Sequence, residues 1–503
     1  MSKEAIEDWE EDAQELQWHL NHLRDRSARQ KERILLGAPR RLLRALDREI
    51  ESLSRRVAAN NHPQSPLLAE ERHVRELYRY LACAETSESW HSPPLNITLP
   101  LESLLPLSII PGYNDYERGF VAYSKQFADW FCDSYYGNLA GAKKSLLFSS
   151  GMGAIQTLLQ TISNSNTAIV MGRRVYYETR GMVFNNGGHS FGPIHFFDEA
   201  NQEEDYLKAQ IERADALFVD TVGLDSNGIR PDLNRLFSLI ERQDRAGYTI
   251  VLDNTVPGPE LSLPTLPPRT NLFIIESLLK YYQGGFDLGS AGILTLHSRY
   301  ENPQLFNKLE ITRAVNGTNI NPLNAHLLPY MPVSMVEKRL RRHHRNARLF
   351  AEKLSDVCPL TVLGCGGLIF VETPRPDLVL EIVGLLALSR NLCLMQGTSF
   401  GFNRTRVCVP PQSSGMLRIA CGMEDCRLAG DLADCLRVAL VMANLEEAAE
   451  IVPSMSRFFP DFPERMQPGN GELDKFNHFL REFGQTANDI YGAACELKSL
   501  APR

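Results

Sequence analysis

The chain has 503 residues, 43% of them hydrophobic, and a formal net charge of −8. This length is enough for two or three domains with cores of their own, and the acidic balance gives no support for nucleic acid as a partner. The charged N-terminus lacks the apolar core of a secretory signal, and no apolar stretch is long enough to cross a membrane. We therefore expect a cytoplasmic protein with no membrane partner.

The ten cysteines are scattered along the chain, and no two of them form a CxxC motif. Several lie in apolar segments, such as Cys358, Cys393 and Cys435. This distribution argues against a metal site and against a disulfide framework, and it predicts reduced cysteines in the core.

The first 110 residues are predicted to form a helical extension. Apolar side chains recur there at helical spacing in two stretches, first at Trp9, Leu16, Leu20 and Leu23, and then at Leu42, Leu43, Leu46, Ile50, Leu53 and Val57. Such spacing predicts a helical hairpin or a small bundle. The arginines between residues 24 and 56 fall on its polar face, which favours a solvated surface over an interaction surface for an anionic substrate or partner protein. Proline-rich and polar stretches then predict a domain boundary near residue 110.

The segment SLLFSSGMGAIQTLLQTI, residues 145–162, predicts a short strand, a turn and a helix. The turn consists of small or flexible residues, namely Ser149, Ser150, Gly151 and Met152. The first backbone amides of a helix have no partner within it, so they can hold a phosphate group. Small residues before a helix are common in loops, however, and alone they would indicate only a feature of the fold.

Two further strands end in residues that suit one cofactor. A strand at 248–252 is followed by Asp253, and a strand at 272–275 leads to Ser277 and Lys280 ahead of a glycine-rich turn. A lysine at the end of a buried strand has a lowered amine pKa and can form a Schiff base, although an exposed lysine is more often a solvated charge. Pyridoxal phosphate needs such an amine for its aldehyde and a carboxylate for its pyridine nitrogen. A phosphate turn, an acid and a lysine in this order therefore predict a site for this cofactor.

These segments carry a family resemblance. SSGMGAI, VLDNT and ESLLKYYQGGFD resemble the phosphate-binding turn, the pyridine-nitrogen acid and the lysine segment of the trans-sulfuration (Cys/Met metabolism) enzymes of pyridoxal phosphate fold type I. That family includes cystathionine γ-synthase, cystathionine γ-lyase, methionine γ-lyase and O-acetylhomoserine sulfhydrylase. NGTNINPLNAHLLP, SFG and LRIACGMED are similar to later segments of the family, so the resemblance covers about residues 110–445.

The resemblance implies pyridoxal 5′-phosphate as the cofactor, with Lys280 as its amine and Asp253 as the acid at its ring nitrogen. The phosphate contacts would come from Ser150, Gly151, Met152 and Ser277. The family often has a threonine directly before the lysine, whereas this chain has Leu279. We therefore expect one phosphate contact to be absent.

The family also places a Tyr-x-Arg segment before the phosphate turn, and its side chains reach the cofactor phosphate of the partner subunit. Tyr116 and Arg118 match this pattern, and Tyr123-Ser124-Lys125 is a second candidate. The Asn-Pro-Thr that normally follows is missing, and a surface turn is the alternative for the YER residues. Arginine suits the contact because its planar guanidinium binds phosphate through two hydrogen bonds. The resemblance therefore implies a homodimer or homotetramer.

Tyr176 takes the place of the family tyrosine that lies against the pyridine ring and can donate a proton to the leaving group. The alignment rests on Thr179 and on the spacing from Gly151. The two glycines of the family segment are Tyr177 and Glu178 in this chain. These larger side chains would lie beside the substrate, so Tyr177 is a candidate for substrate binding.

The strand that ends in Asp220 departs from the family, which has a glutamate there. The next asparagine of the family, which touches the phenolic oxygen of the cofactor, has no clear counterpart, since Leu224 or Asp225 falls at its position.

Short apolar strands alternate with amphipathic helices over roughly residues 140–300. This alternation predicts an α/β fold with a doubly wound, mostly parallel sheet and with the site at the carboxyl ends of its strands, as in the fold type I that the resemblance implies. We expect four parts: a helical N-terminal extension at 1–110, a large cofactor-binding domain at 111–324, a smaller C-terminal α/β domain at 325–445, and a helical C-terminal extension at 446–503.

In the smaller domain the resemblance assigns the substrate α-carboxylate to Arg418, with help from Ser399. A bidentate guanidinium–carboxylate pair fixes the orientation of an amino acid over the cofactor ring. An arginine on a strand is otherwise most often a surface charge.

The reaction that the resemblance implies is γ-replacement or γ-elimination on an amino acid with a γ leaving group, of the homoserine ester, methionine or S-adenosylmethionine type. Lys280 would take the α-proton, and loss of a β-proton would then expel the γ-substituent through a vinylglycine-type quinonoid. A second, nucleophilic substrate or water would complete the reaction. The extensions and the altered pocket favour a specialised biosynthetic pathway. The alternatives are a β-lyase or an aminotransferase on the same fold and, in a different class, a non-catalytic binding protein, which the retained Lys280, Asp253 and Arg418 disfavour.

Overall fold

The computed structural model describes most of the chain between residues 3 and 443. The described ranges are 3–33, 38–59, 67–89, 122–139, 141–163, 167–185, 192–224, 228–243, 245–298, 303–411 and 415–443. They form two units, Ile6–Lys338 and a second that begins at Arg339. The predicted domain limits near residues 110, 325 and 445 stay predictions, and the C-terminal extension at 446–503 lies outside the described residues.

Three helices form the N-terminal extension, as the apolar spacing predicts. They are α1 (Lys3–Arg33), α2 (Ala38–Ala59) and α3 (Leu68–Ser89). Their apolar faces share one buried cluster, in which Leu20 and Leu53 are fully covered. Phe286 and Leu288 belong to the same cluster. The extension therefore packs against the end of the predicted lysine segment.

Arg26 differs from the expected solvated arginine face. It is buried, and it donates hydrogen bonds to both carboxylate oxygens of Glu85 on α3 and, at 2.7 Å, to the carbonyl oxygen of His326. His326 Nδ1 also lies 2.9 Å from the Glu85 carboxylate. Arg26 has these partners because an unpaired charge is costly to bury. The ion pair ties α1 and α3 to the body of the first unit.

The first unit is built on a seven-stranded sheet. Its strands are β1 (Ala142–Phe148), β2 (Ile169–Gly172), β3 (Ile194–Phe197), β4 (Ala216–Asp220), β5 (Thr249–Asp253), β6 (Asn271–Ser277) and β7 (Gly292–Ser298). Their spatial order is β1-β7-β6-β5-β4-β2-β3, and β7 is antiparallel to both its neighbours whereas the other pairs are parallel. The prediction of an α/β fold with a mostly parallel sheet is confirmed.

The first unit also contains helices that precede, connect or follow these strands. They are α4 (Ala122–Tyr136), α5 (Gly151–Ile162), α6 (Tyr177–Asn185), α7 (Glu204–Glu212), α8 (Leu233–Arg242), α9 (Pro303–Asn316) and α10 (Pro322–Leu327). Strands β4 and β5 are buried along their whole length. Burial on both faces explains why they are continuous apolar runs in the sequence.

The carboxyl ends of β4, β5 and β6 meet at one edge of the sheet. Asp220 is the register partner of Asp253, and Asp253 is the register partner of Ile275. The polar residues that end these three strands are therefore neighbours in space.

The two faces of this edge carry different side chains. Phe218, Val251 and Ile275 lie in one buried cluster with α5. Since successive side chains of a strand point to opposite faces, Asp220, Asp253 and Ser277 continue the α5 face. The residue before Ser277 points to the other face.

The second unit contains a five-stranded sheet. Its strands are β8 (Leu360–Val362), β9 (Leu368–Glu372), β10 (Met395–Gln396), β11 (Arg406–Cys408) and β12 (Met416–Ala420), in the order β10-β11-β12-β9-β8. Helix α11 (Val333–Leu354) leads into this unit, and α12 (Pro376–Ser389) and α13 (Cys426–Ala443) complete it. Its core includes Ile382, Leu417 and Leu436.

The sequence also led to expectations about the cysteines, metal binding and membrane-spanning helices. Cys435 is buried as expected, but Cys393 is exposed because it lies in the connection between α12 and β10. In the part of the chain that the structure describes, no three His, Cys, Asp or Glu side chains are placed to hold a metal ion. None of the described helices combines the length and apolar content needed to span a membrane.

Candidate active site

The turn between β1 and α5 has the geometry of an anion-binding helix start. Ser150 caps the helix, and its Oγ accepts a hydrogen bond from the Gly153 amide at 3.0 Å. The Gly151 and Met152 amides lie in the first turn, where a helix offers no internal partner. Gly151 lies against Ser277, since a Cβ added to Gly151 would stand 3.4 Å from the Ser277 Cβ. The structure therefore brings the four predicted phosphate residues together.

Asp253 is buried at the end of β5 and is linked to β6 through one threonine. Asp253 Oδ1 accepts a hydrogen bond from the Thr255 amide at 3.0 Å, and Thr255 Oγ1 accepts one from the Ser277 amide at 3.0 Å. Burial raises the pKa of the Asp253 carboxyl, while Thr255 and the nearby charge of Lys280 lower it. The predicted acid therefore lies within electrostatic reach of the predicted lysine.

Lys280 lies in the turn that follows β6, which we call the lysine turn (residues 278–286). Its amide donates a hydrogen bond to the Ser277 carbonyl oxygen at 3.3 Å. The turn ends through Gly284 and Gly285, whose φ angles of 61° and 70° lie in the left-handed region that favours glycine. Lys280, Asp253 and the phosphate turn are thus gathered at one edge of the sheet.

Tyr176 lies between β2 and α6 and is joined to the end of β4. Its amide donates a hydrogen bond to Asp220 Oδ2 at 2.8 Å, and its ring centroid lies 4.7 Å from that of Tyr177. Burial raises the pKa of the Tyr176 phenol, and Tyr177 and Glu178 raise it further. The phenol is therefore protonated at neutral pH and can donate a proton. Tyr177 in turn donates a hydrogen bond to Glu178 Oε1 at 3.0 Å.

Asp220 is a candidate that the sequence did not assign to the site. Its Oδ1 is buried and has no hydrogen-bond partner among the described residues. Burial raises the pKa of the Asp220 carboxyl well above its usual range, and the charge of Asp253 adds to the rise. Its place at the end of an apolar strand was the signal available in the sequence.

Pyridoxal phosphate fits this arrangement. The turn between β1 and α5 packs closely against β7, because a Cβ added to Gly292 of β7 would stand 2.4 Å from the carbonyl carbon of Ser150. Asp220 Oδ1 is left with unused hydrogen-bonding capacity, and Asp253 and Lys280 are close enough for their charges to interact. A cofactor with a phosphate, an aldehyde and a basic ring nitrogen matches a helix start, an amine and a buried carboxylate.

The predicted cross-subunit residues are Tyr116 and Arg118, and both lie outside the described residues. The second candidate has partners within its own chain. The Tyr123 ring stacks on His326 with centroids 4.0 Å apart, and Lys125 Nζ lies 2.5 Å from Asp129 Oδ2. Tyr116 and Arg118 therefore remain the better prediction.

The predicted carboxylate-binding residues lie in the second unit. Arg418 is on β12, 7% exposed, and donates a hydrogen bond to the carbonyl oxygen of Thr398, the residue before Ser399. Arg418 Nε is buried and has no hydrogen-bond partner among the described residues. The structure thus brings Arg418 next to Ser399.

Glu276 is a further residue whose importance the sequence did not reveal. It directly precedes Ser277, is 1% exposed, and points to the opposite face of β6. A charged residue in an otherwise apolar strand needs polar partners in the fold. That placement in the run LFIIES is the signal that could have identified it.

The fold is that of the pyridoxal phosphate-dependent enzymes of fold type I. Residues 130–359 match the family model described as Cys/Met metabolism PLP-dependent enzyme. A cystathionine γ-synthase/O-acetylhomoserine (thiol)-lyase from Bacillus subtilis is 24% identical over 60% of this chain and 80% of its own length. An L-methionine γ-lyase from Pseudomonas deceptionensis is 25% identical over 44% of this chain and 53% of its own length, so the chain spans about half of that relative.

Solved structures show the same fold. Cystathionine γ-synthase from Xanthomonas oryzae pv. oryzae, in complex with aminoacrylate and cysteine, matches with a TM-score of 0.52 and 19% identity over 67% of this chain and 88% of its own. A structure described as that of an O-acetylhomoserine (thiol)-lyase from Campylobacter jejuni contains N′-pyridoxyl-lysine-5′-monophosphate. It matches with a TM-score of 0.54 and 16% identity over 71% of this chain and 99% of its own.

The predictions of the family, the fold class and the cofactor are confirmed. The chain is a pyridoxal phosphate-dependent enzyme of the lyase and transferase type found in Cys/Met metabolism. The roles of the individual site residues stay predictions.

Proposed function

We propose that the protein catalyses γ-replacement or γ-elimination on an amino acid with a leaving group at its γ-carbon. The proposal rests on one observation. Lys280, Asp253 and the turn at residues 149–151 lie together at one edge of the sheet. The reaction type is supported by relatives that are a cystathionine γ-synthase/O-acetylhomoserine (thiol)-lyase and an L-methionine γ-lyase. The substrate would be of the homoserine ester, methionine or S-adenosylmethionine type, in a specialised biosynthetic pathway.

Each part of the cofactor has a residue that would hold it. Lys280 would bind the aldehyde, and Asp253 would bind the ring nitrogen and keep it protonated. The phosphate would be held by Ser150, Gly151, Met152 and Ser277. When bound, the cofactor withdraws electrons and stabilises negative charge on the substrate α-carbon.

Two residues would move protons. The Lys280 amine takes the α-proton, since it is the basic group at the edge of the sheet where the site residues meet. γ-Chemistry also requires removal of a β-proton before the γ-substituent can leave. Tyr176 would give a proton to the leaving group, because its phenol is held protonated by burial and by its neighbours.

Further residues would orient the substrates. Arg418 and Ser399 would bind the α-carboxylate, because a guanidinium group fixes a carboxylate in one orientation. Tyr177 and Glu178 are bulkier than the glycines of the family, so they would restrict the approach of a second, nucleophilic substrate.

We also propose a cytoplasmic homodimer or homotetramer. In such an assembly Tyr116 and Arg118 would reach the cofactor phosphate of the partner subunit. The active unit would then be a two-fold dimer with two composite sites.

The proposed reaction is tested by the positions of hydrogen exchange. With a γ-substituted amino acid in deuterium oxide, the enzyme should place deuterium at both the α- and the β-carbon of recovered substrate or product. Mass spectrometry and proton NMR of the recovered amino acid measure both positions. A control without enzyme corrects for spontaneous exchange.

A different labelling pattern would replace this proposal by an alternative. If deuterium enters only at the α-carbon and a keto acid forms in amounts equal to the enzyme, an aminotransferase is favoured. If only substrates with a β leaving group are cleaved, a β-lyase is favoured.

A further inference from the structure

Glu276 is held beneath the lysine turn by three donors of its own chain. Its Oε2 accepts a hydrogen bond from the Tyr136 hydroxyl at 2.6 Å, and its Oε1 accepts hydrogen bonds from the Tyr282 hydroxyl and, at 3.2 Å, from Asn254 Nδ2. Hydrogen bonds to an ionised carboxylate are about twice as strong as neutral ones. The ionised carboxyl group is therefore fully engaged in this position.

The three donors come from separate parts of the site. Tyr136 ends α4, Tyr282 lies two residues after Lys280, and Asn254 directly follows Asp253. Glu276 itself directly precedes Ser277. One carboxyl group thus joins the segments that carry the predicted amine, the predicted ring acid and a predicted phosphate residue.

The titratable groups that face Glu276 are Tyr135 and Tyr136 from α4, Tyr282 from the lysine turn and Asp253 from β5. Burial raises the pKa values of the three phenols well above their usual range, and the charge of Glu276 raises them further. These phenols therefore stay protonated and act as donors at neutral pH.

We propose that Glu276 is a positioning residue, whose ionised carboxylate fixes the lysine turn against the strand ends that carry Asp253 and Ser277. The inference rests on the proposed roles of Lys280 and Asp253. Glu276 acts through these neighbours, since it lies on the face of β6 opposite Ser277.

The protonation state of Glu276 then controls the geometry of the site. Burial raises the pKa of the Glu276 carboxyl to about 7, against hydrogen bonds from Tyr136, Tyr282 and Asn254 that lower it, and the charge of Asp253 adds to the rise. A protonated carboxyl group loses charge and part of its acceptor capacity, so the bond from Tyr282 to the strand weakens. The lysine turn is therefore held less firmly below this pH.

The test measures the dissociation constant of pyridoxal phosphate from the full chain between pH 5.5 and 8.5, by titration of the visible absorption. For the wild type we expect the constant to rise by about tenfold in total as the pH falls through a midpoint near 7, and then to level off, since one proton is bound. Glu276→Gln mimics the protonated carboxyl, so at pH 8 it should bind the cofactor about tenfold more weakly than the wild type and should lack this transition.

Two further variants separate a charge effect from a packing effect. Tyr136→Phe removes a donor that lowers the pKa of Glu276, so it should move the midpoint to higher pH. Glu199→Gln is the matched control, because Glu199 is another buried carboxyl with a pKa raised by burial. Its partners are the amides of Arg173 and Arg174 and the guanidinium group of Arg174. This control should keep the wild-type midpoint.

The inference fails if Glu276→Gln keeps the wild-type midpoint and affinity. If Glu276→Gln does not fold, Tyr136→Phe decides, and an unchanged midpoint in that variant contradicts the inference. Failure of the proposed function gives a different result. In that case Lys280→Ala keeps the visible absorption, or the wild type binds no cofactor at any pH. Either result also rejects the inference about Glu276.

Discussion

Buried carboxyl groups have different surroundings on the two faces of the same sheet edge. On the α5 face, Asp253 is near the charge of Lys280, and Asp220 Oδ1 has no hydrogen-bond partner among the described residues. On the opposite face, Glu276 accepts hydrogen bonds from Tyr136, Tyr282 and Asn254. The two faces therefore differ in hydrogen bonding more than in burial. The α5 face keeps an acceptor that a cofactor could use, whereas the carboxylate on the opposite face is bound by side chains of the protein.

The largest expected effect comes from removing the amine on the α5 face. Lys280→Ala should abolish the visible absorption of the cofactor-bound protein and lower turnover by at least about 10³-fold, because both the covalent partner and the base are lost. Absorption spectra and steady-state kinetics measure these changes, with circular dichroism to show that the variant is folded. Turnover close to that of the wild type would rule out the assignment.

A smaller effect is expected from the acid on the same face. Asp253→Asn should leave cofactor binding largely intact and slow exchange of the substrate α-proton by about 10²-fold, because the ring nitrogen is no longer held protonated. Proton NMR in deuterium oxide measures the exchange rate. Glu199→Gln is the matched control and should have less effect, since Glu199 is another buried carboxyl and it binds the amides of Arg173 and Arg174. Equal exchange rates in Asp253→Asn and the wild type would count against this role.

The smallest effect concerns stability and the opposite face. The pKa of Glu276 is raised from 4.5 to about 7, so the folded state binds its proton more tightly than the unfolded state. Stability from this group is therefore fully present below about pH 4.5 and is lost as pH rises towards 7. Relative to Glu276→Gln, the free energy of unfolding of the cofactor-free wild type should fall by about 2 to 3 kcal/mol between pH 5 and pH 8. Urea unfolding measures this difference, and a difference that is constant with pH would show that Glu276 does not titrate in this range.

The sequence predicted the parts of the site that have local signals. The turn at residues 149–151, Asp253 and Lys280 each follow an apolar run, and the carboxyl ends of parallel strands meet at one edge. Their order along the chain and their proximity in the fold could therefore be predicted together. The family resemblance added the cofactor that these three segments would bind.

The rest depended on partners far away in the sequence. Glu276 is bound by Tyr136, which is 140 residues away, and Arg26 is bound by the carbonyl of His326, which is 300 residues away. Helical spacing shows which face of α1 is polar, but it does not show that Glu85 on α3 would bury Arg26. The unused oxygen of Asp220 also requires knowledge of every neighbouring donor.

The central claim is that Lys280 is the amine that binds the cofactor at this sheet edge. Reduction of the cofactor-bound protein with borohydride, followed by peptide mass spectrometry, identifies the lysine directly because reduction makes the Schiff base permanent. The phosphopyridoxyl group should be found on the peptide that contains Lys280, and the Asp253→Asn variant should be labelled at the same residue. Labelling of a different lysine in the wild type would contradict the claim.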